Sequence, residues 1–271
     1  MPGSKPQVLT VTLPNRGRIH VVREGDPAAP AVFFSHSILS SQAMWDGQAS
    51  FLVDHGWQVV RADIRGHGDS TADTPPGSMD ELMADTVAVW DALDLARVHY
   101  VGLSLGGMIG FGLGIHHASR LHSLCLCDAR ADAPPEVAAP WDARIEQART
   151  AGCSSLADAT LERWFGLPFL TREREIAARL RTIAASTSVV GFEGCARAIQ
   201  GLSFLPDLSR IHTPTTLLVG ANDGVLPEAN MAIQRIIPHS RMEVIEGAGH
   251  LPNIDQPDHF NAALVRHLAF G

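Results

Sequence analysis

No stretch of this chain approaches the ~20 consecutive apolar residues that a bilayer-spanning helix needs, so no membrane partner is expected. The opening residues Met1-Pro2-Gly3-Ser4-Lys5-Pro6 have no apolar core of the kind a secretion signal carries. Cysteine is scarce: Cys125, Cys127, Cys153 and Cys195, without a Cys-x-x-Cys pair. That makes a poor zinc signal. Cys125 and Cys127 alternate in an apolar run and face the same way. They read as buried thiols in a reducing cytosol rather than as a disulfide or a metal site. No internal repeat or low-complexity tract is present. Positive charge is short as well, with 21 Lys and Arg against 29 Asp and Glu, a formal net charge of −8. Nucleic acid as the main partner calls for a basic face and is not expected. An anionic substrate gains no global attraction and needs a local cation.

What is present reads as an α/β chain. Its 271 residues are 45% hydrophobic and 18% charged, enough for one large core, or one core with a small lid. Short β-rich runs come first: Val8-Leu13, Ile19-Arg23, Ala31-Phe34 and Gln58-Ala62. Strands then alternate with helices. After Pro76, Ser78-Met79-Asp80-Glu81 is a capping box. Leu82, Val89 and Leu93 follow on one face, with Trp90 beside them, and this helix ends near Leu95. Further strands are read at 98–101, 121–127, 215–219 and 242–245. Alternation of this kind implies a mostly parallel sheet with helices on both faces, and the closely spaced opening strands suggest an antiparallel edge. Between Asp128 and about Arg210 the strand pattern stops. Pro134, Pro135 and Pro140 enter a stretch with helical patterns beginning at Trp141, closing at Leu161-Phe165, and recurring at 172–185 and 194–202. A helical cap inserted between two strands is expected there.

The chemistry centres on Gly102-Leu103-Ser104-Leu105-Gly106. It stands between a buried strand and a helix running from Leu105 to His117. A sharp strand-to-helix turn lifts a serine hydroxyl clear of the backbone, and side chains two residues either side would collide, hence the glycines. The helix holds Gly106, Gly107, Gly110, Gly112 and Gly114. Each costs roughly 1 kcal/mol against alanine, so very close packing on the sheet is expected in compensation. A serine needs a base, and the base an orienting acid. His250 lies on a glycine-rich loop after the last strand, and Asp223 on the loop after the preceding one. Three residue types, each just past a strand, make a candidate triad of Ser104, Asp223 and His250. Each has a bland alternative, a chance match, a turn and a loop histidine respectively. The combination favours catalysis. The backbone N–H groups of Leu105 and Ile38 are the candidate oxyanion donors. His116-His117 reads as a partner of the helix C-terminal dipole. Asp63-Ile64-Arg65-Gly66-His67-Gly68-Asp69-Ser70 reads as a loop satisfying its own hydrogen bonds. No metal site is assigned.

The phrases Arg65-Gly66-His67-Gly68-Asp69-Ser70, Gly102-Leu103-Ser104-Leu105-Gly106-Gly107-Met108-Ile109-Gly110, Leu161-Glu162-Arg163-Trp164-Phe165 and His250-Leu251-Pro252-Asn253-Ile254-Asp255-Gln256-Pro257 resemble the α/β-hydrolase superfamily, and within it the 3-oxoadipate enol-lactonase branch. The likeness runs from about Arg16 to Leu268. It implies an α/β-hydrolase fold: a mostly parallel eight-stranded sheet with helices on both faces, a core over residues 1–130 and 209–271, and a helical cap over 131–208 after the sixth strand. It implies a cofactor-free serine hydrolase with Ser104 as nucleophile, His250 as base and acid, and Asp223 as orienting carboxylate. The expected partner is a small-molecule lactone or carboxylic ester, with association into a homo-oligomer left open. A broader carboxylesterase, a signalling-lactone hydrolase and a slow-turnover ligand receptor are the alternatives. An enol-lactone substrate carries a carboxylate. Arg130 is the first candidate cation, set against its pairing with Asp128 or Asp132. Trp141, Trp164 and Phe165 are candidates for the acyl pocket, set against packing between cap helices. Two phrases depart from the branch. The loop Ser35-His36-Ser37-Ile38-Leu39-Ser40-Ser41 lacks an early glycine, and Cys127-Asp128-Ala129 stands where an Asn-Thr-Ala-like phrase is expected.

Overall fold

The computed structural model describes residues 6–14, 17–72, 75 and 77–270. Met1–Lys5 of the opening segment, Arg16 at the start of the resemblance and Pro76 ahead of the capping box lie outside them. An eight-stranded sheet runs in the order β1-β2-β4-β3-β5-β6-β7-β8. Its strands are β1 (Gln7–Thr12), β2 (Arg18–Glu24), β3 (Ala31–Ser35), β4 (Gln58–Ala62), β5 (Val98–Leu103), β6 (Leu121–Cys127), β7 (Thr215–Gly220) and β8 (Ser240–Ile245). β1 pairs β2 and β2 pairs β4 antiparallel, and every later pairing is parallel. The antiparallel edge expected from the opening strands is therefore present. β3, β4, β5 and β7 are buried at every position, because helices cover both faces.

Neighbouring residues of β3 demonstrate the two layers. Phe33 points one way, its ring 5.7 Å from Trp90 and 6.0 Å from Tyr100. Phe34 points the other way, 4.8 Å from Trp45, which in turn lies 5.8 Å from Phe260. Trp90 stands on α2 (Met79–Ala92) and Phe260 on α11 (Pro257–Leu268), Trp45 ends the 3-10 turn ahead of α1 (Asp46–Asp54), and α3 (Leu105–His116) follows β5. The helix starts where the capping box is read: the Glu81 N–H donates to Ser78 Oγ at 3.3 Å, while Glu81 Oε2 accepts from the Gly77 N–H, one residue ahead of the N-cap, rather than from Ser78. α2 stops at Ala92 rather than near Leu95, because Asp94 takes φ 54 and turns the chain into β5. All four cysteines are buried free thiols. The 63–70 loop is closed by its own bonds, with Asp63 Oδ2 accepting the Asp69 N–H at 3.0 Å and Ser70 Oγ donating to the Asp63 carbonyl at 2.8 Å.

α3 lies on the sheet at glycine distance. A Cβ at Gly106 would overlap the Ser35 carbonyl, and one at Gly110 would meet the Leu126 and Tyr100 side chains. Gly106→Ala is therefore expected to destabilise by about 1–3 kcal/mol, because a backbone carbonyl of a central strand cannot move aside. Gly47→Ala on α1, where nothing lies within 4 Å, is expected to be neutral or stabilising by up to ~1 kcal/mol. Urea unfolding of the two variants checks the contrast.

Between β6 and β7 the chain forms α4 (Pro135–Ala138), α5 (Pro140–Ala151), α6 (Ala157–Arg172), α7 (Arg174–Ser186) and α8 (Val189–Gln200). Its entry and exit are tied together: Asp132 bridges Ser203, and the Phe204 N–H donates to the Ala131 carbonyl at 2.7 Å. α6 breaks at Gly166, φ 73, just ahead of Pro168. Leu161–Phe165 thus closes a helical half, as the sequence pattern suggests. After β7 come α9 (Leu226–Gln234) and, beyond β8, α10 (Pro252–Asp255). No helix among the described residues is long and apolar enough to cross a membrane.

Candidate active site

Ser104 occupies the turn between β5 and α3 with φ 56 and ψ −112, a conformation that costs a non-glycine residue about 1–3 kcal/mol. The fold holds it there from both sides. Its N–H donates to the Cys127 carbonyl at 2.8 Å, and the Gly106 N–H donates to the His36 carbonyl at 3.1 Å. A Cβ on Gly102 would strike the Gly106 carbonyl, which is the close approach the flanking glycines permit.

Asp223 and His250 come from the ends of β7 and β8, next to one another in the sheet. His250 Nδ1 lies 2.6 Å from Asp223 Oδ2, with both side chains buried. A carboxylate only accepts, so Nδ1 carries the proton and Nε2 presents its lone pair. Nε2 is buried with no hydrogen-bond partner among the described residues. Burial pushes the imidazole below its usual range, and the Arg163 charge adds to this, against the opposing pull of Asp223. Burial pushes Asp223 up, but the imidazole, its hydrogen bond and Arg163 outweigh it and hold the carboxyl below its usual value. The histidine loop is anchored elsewhere too: the His250 N–H donates to the Trp164 carbonyl of α6 at 2.8 Å, and the Gly249 N–H to Asp255 Oδ2 at 2.8 Å.

Ser104, Asp223 and His250 all line one cavity of about 510 Å³ between the strand ends and the inserted helices. That volume suits a small molecule. Ile38 lines it as well, and Leu105 opens α3 beside it. Among the described residues, neither the Ile38 nor the Leu105 N–H is donated to a protein acceptor. Leu39 takes φ 60 with its side chain fully buried. The loop, which has no glycine from Ser35 to Ser41, thus reaches the left-handed region at a leucine.

The family model described as the alpha/beta hydrolase fold matches residues 30–257. The chain belongs to the α/β-hydrolase family. It is 32% identical over 241 residues to 3-oxoadipate enol-lactonase 2 of Acinetobacter baylyi, covering 89% of each chain. The enol-lactonase from Burkholderia xenovorans superposes with TM-score 0.91 at 30% identity, over 96% of this chain and all of that one. A hydrolase from Pseudomonas aeruginosa superposes with TM-score 0.92 at 30% identity, over 97% of this chain and 98% of the other. The resemblance read from the sequence phrases is borne out.

In this α/β-hydrolase the expected pocket residues divide. Trp141 and Trp164 line the cavity. Phe165 does not: it stacks on Phe169 at 4.4 Å, with its edge to Trp164. Arg130 lines the cavity, but its guanidinium is held by Asp132 through contacts of 3.3 Å to the side chain and to the carbonyl. Its structural reading prevails. Two arginines not singled out from sequence line the same space, Arg144 of α5 and Arg163 of α6. Arg144 stacks on Trp141 at 4.5 Å and donates to Thr160 Oγ1 at 3.1 Å. Burial and the Arg163 charge lower it to about 10. Neither arginine has a carboxylate partner among the described residues. The i, i+3 spacing of Trp141 and Arg144 was the available signal.

Among the described residues two clusters make neither a metal site nor a second triad. Asp128, Asp223 and His250 are spaced as metal ligands would be, but atoms sharing a tetrahedral ion at about 2.0–2.2 Å stand roughly 3.3 Å apart. The 2.6 Å contact of His250 with Asp223 holds a proton instead. Ser123 Oγ and His267 Nε2 also meet, at 2.8 Å, but His267 Nδ1 faces Thr216 Oγ1 at 2.9 Å, not a carboxylate. Both residues are fully buried, and burial holds His267 at about 3.

Proposed function

We propose that this chain hydrolyses a small lactone or carboxylic ester bearing a free carboxylate, through an acyl-enzyme on Ser104. The observation that carries the reading is the buried His250–Asp223 pair at 2.6 Å, whose unpartnered Nε2 borders the cavity that Ser104 lines. Ser104 Oγ attacks the carbonyl carbon and its proton passes to His250 Nε2. Asp223 stabilises the imidazolium, and the Ile38 and Leu105 N–H groups take the oxyanion. As the carbonyl reforms, the ring C–O bond breaks and His250 returns the proton to the leaving oxygen. An enol released this way tautomerises to a ketone, which pulls the step forward. Water then attacks the acyl-enzyme with His250 again as base, freeing the acid and Ser104.

The relatives named as 3-oxoadipate enol-lactonases support a lactone carrying an acid group. The helices over 131–208 would serve as a cap that closes the site from water. The cations for the acid group are Arg144 and Arg163, which take the place of Arg130. A carboxylate between them meets two guanidinium forks in a partly apolar space, where charged hydrogen bonds are worth about 1.5–3 kcal/mol each.

The test is a panel of lactones and short p-nitrophenyl esters, each with and without a terminal carboxylate, run on wild type and Arg144→Ala. The variant is expected to raise KM for carboxylate-bearing substrates by about 10- to 100-fold and to leave neutral esters within about threefold. Equal losses on both classes would refute the arginines as the acid-reading groups. Absence of turnover across the panel would refute the hydrolysis.

A further inference from the structure

Asp128 is the buried titratable group that this chemistry leaves unused. It follows β6 directly, at φ 47, and is 1% exposed. Its N–H donates to the Leu218 carbonyl at 2.9 Å, and its Oδ1 accepts the Gly220 N–H at 2.9 Å. The carboxyl is therefore stitched across the ends of β6 and β7, beside the turn that holds Ser104. Its other oxygen, Oδ2, is buried without a hydrogen-bond partner among the described residues. One oxygen each of Asp128 and Asp223 and one ring nitrogen of His250 lie within 4.8 Å of one another.

Two buried carboxylates this close do not both ionise. Asp223 keeps the charge, because the imidazole N–H is on it. We propose that Asp128 is a positioning residue: a neutral acid that offers its proton to the Asp223 carboxylate, fixes that carboxylate against His250, and sets the alkaline edge of turnover. The idea rests on the reading of Asp223 as the orienting acid. Burial and the Asp223 charge push Asp128 well above the carboxylate range, against the Gly220 N–H and Arg163. The groups facing it are Asp223 from the β7 loop, His250 from the β8 loop and Arg163 from α6. On its own segment stand the Cys127 thiol, which burial keeps neutral, and Arg130, which Asp132 holds. Arg163 lowers the edge and Asp223 raises it. Below the edge Asp128 is a donor. Above it the pair carries two charges, the hydrogen bond is lost, and Asp223 is repelled from its place.

The test combines Asp128→Asn, Asp128→Ala and infrared difference spectroscopy, with turnover of a neutral lactone followed across pH. Asparagine keeps a donor for Asp223 and an acceptor for Gly220 but cannot ionise. It is expected to hold kcat within about threefold at neutral pH and to lose the wild-type alkaline edge. Alanine is expected to lower kcat about tenfold with KM little changed. The wild type should show a protonated-carboxyl band at neutral pH that Asp128→Asn lacks. Absence of that band, or a wild-type alkaline edge in Asp128→Asn, overturns the proposal even if the alanine variant fails to fold. The band is read without turnover, so it stands apart from the triad: Ser104→Ala is expected to keep the band while losing activity. Activity surviving in Ser104→Ala would sink the triad reading and this positioning role with it.

Discussion

Ser104→Ala is expected to lower kcat on every substrate by at least about 10⁴-fold, while the unfolding midpoint stays close to wild type. The two halves of that outcome have separate causes. The hydroxyl is the atom that would form the bond to the acyl carbon, and no neighbouring group replaces it. Ser35, Ser37 and Ser40 are buried in the adjacent loop, and the second Ser–His contact, Ser123 with His267, is sealed from solvent and lacks an acid. Stability, by contrast, hardly depends on the hydroxyl. The turn is held by the Ser104 N–H on the Cys127 carbonyl and by the glycine contacts on either side, all of which alanine keeps. The change is therefore expected within about 0.5 kcal/mol. Steady-state kinetics, thermal unfolding and mass spectrometry after a phosphonate inhibitor check it together. Wild type should gain one adduct and the variant none. Turnover within tenfold of wild type would defeat the assignment of Ser104.

The parts of this molecule legible in its sequence are those fixed by short-range rules. β4 and β6 are read to the residue because continuous apolar runs bounded by polar or turn residues leave no other boundary. α2 begins where Ser78 and Glu81 can satisfy free N–H groups. Ser104, Asp223 and His250 are found because each lies just past a strand, and a parallel sheet collects strand ends along one rim. The illegible parts depend on how separate elements are juxtaposed. Arg130 pairs with a residue two positions away, so a local reading was sufficient. Arg144 and Arg163 reach the cavity only because α5 and α6 fold over it, and Phe165 is taken up by its stack on Phe169 across the α6 break. Asp128 was visible as a departure from the enol-lactonase phrase, but its closeness to Asp223 follows from β6 and β7 pairing in parallel, Cys127 beside Leu218.

Asp223→Asn is the second large effect, and it separates two jobs of the carboxylate. An amide removes the negative charge that balances the imidazolium. It can also turn its NH₂ toward Nδ1, which leaves the proton on Nε2, where it blocks the base. Together these are expected to lower kcat by about 10⁴-fold. The pH dependence gives the loss its signature. A general base works when neutral, so activity rises as pH passes upward through the His250 value. Burial and Arg163 already depress that value, and Asp223 opposes them. Without Asp223 it falls further, so the acid limb moves to lower pH. Raising the pH therefore does not restore activity, because the imidazole is already neutral and what is missing is stabilisation of its charged form in the transition state. Asp128 decides what remains. Removing the Asp223 charge removes a main cause of its neutrality, so Asp128 ionises more readily and supplies a more distant negative charge. Asp223→Asn combined with Asp128→Asn is then expected to fall below wild type by more than the product of the single effects, a coupling that neighbours sharing one hydrogen-bonded unit display. Strictly multiplicative losses would mean that the two carboxyls act independently. Recovery of Asp223→Asn at alkaline pH would mean that the variant has lost deprotonation of His250 rather than stabilisation of its charged form, and would overturn this account.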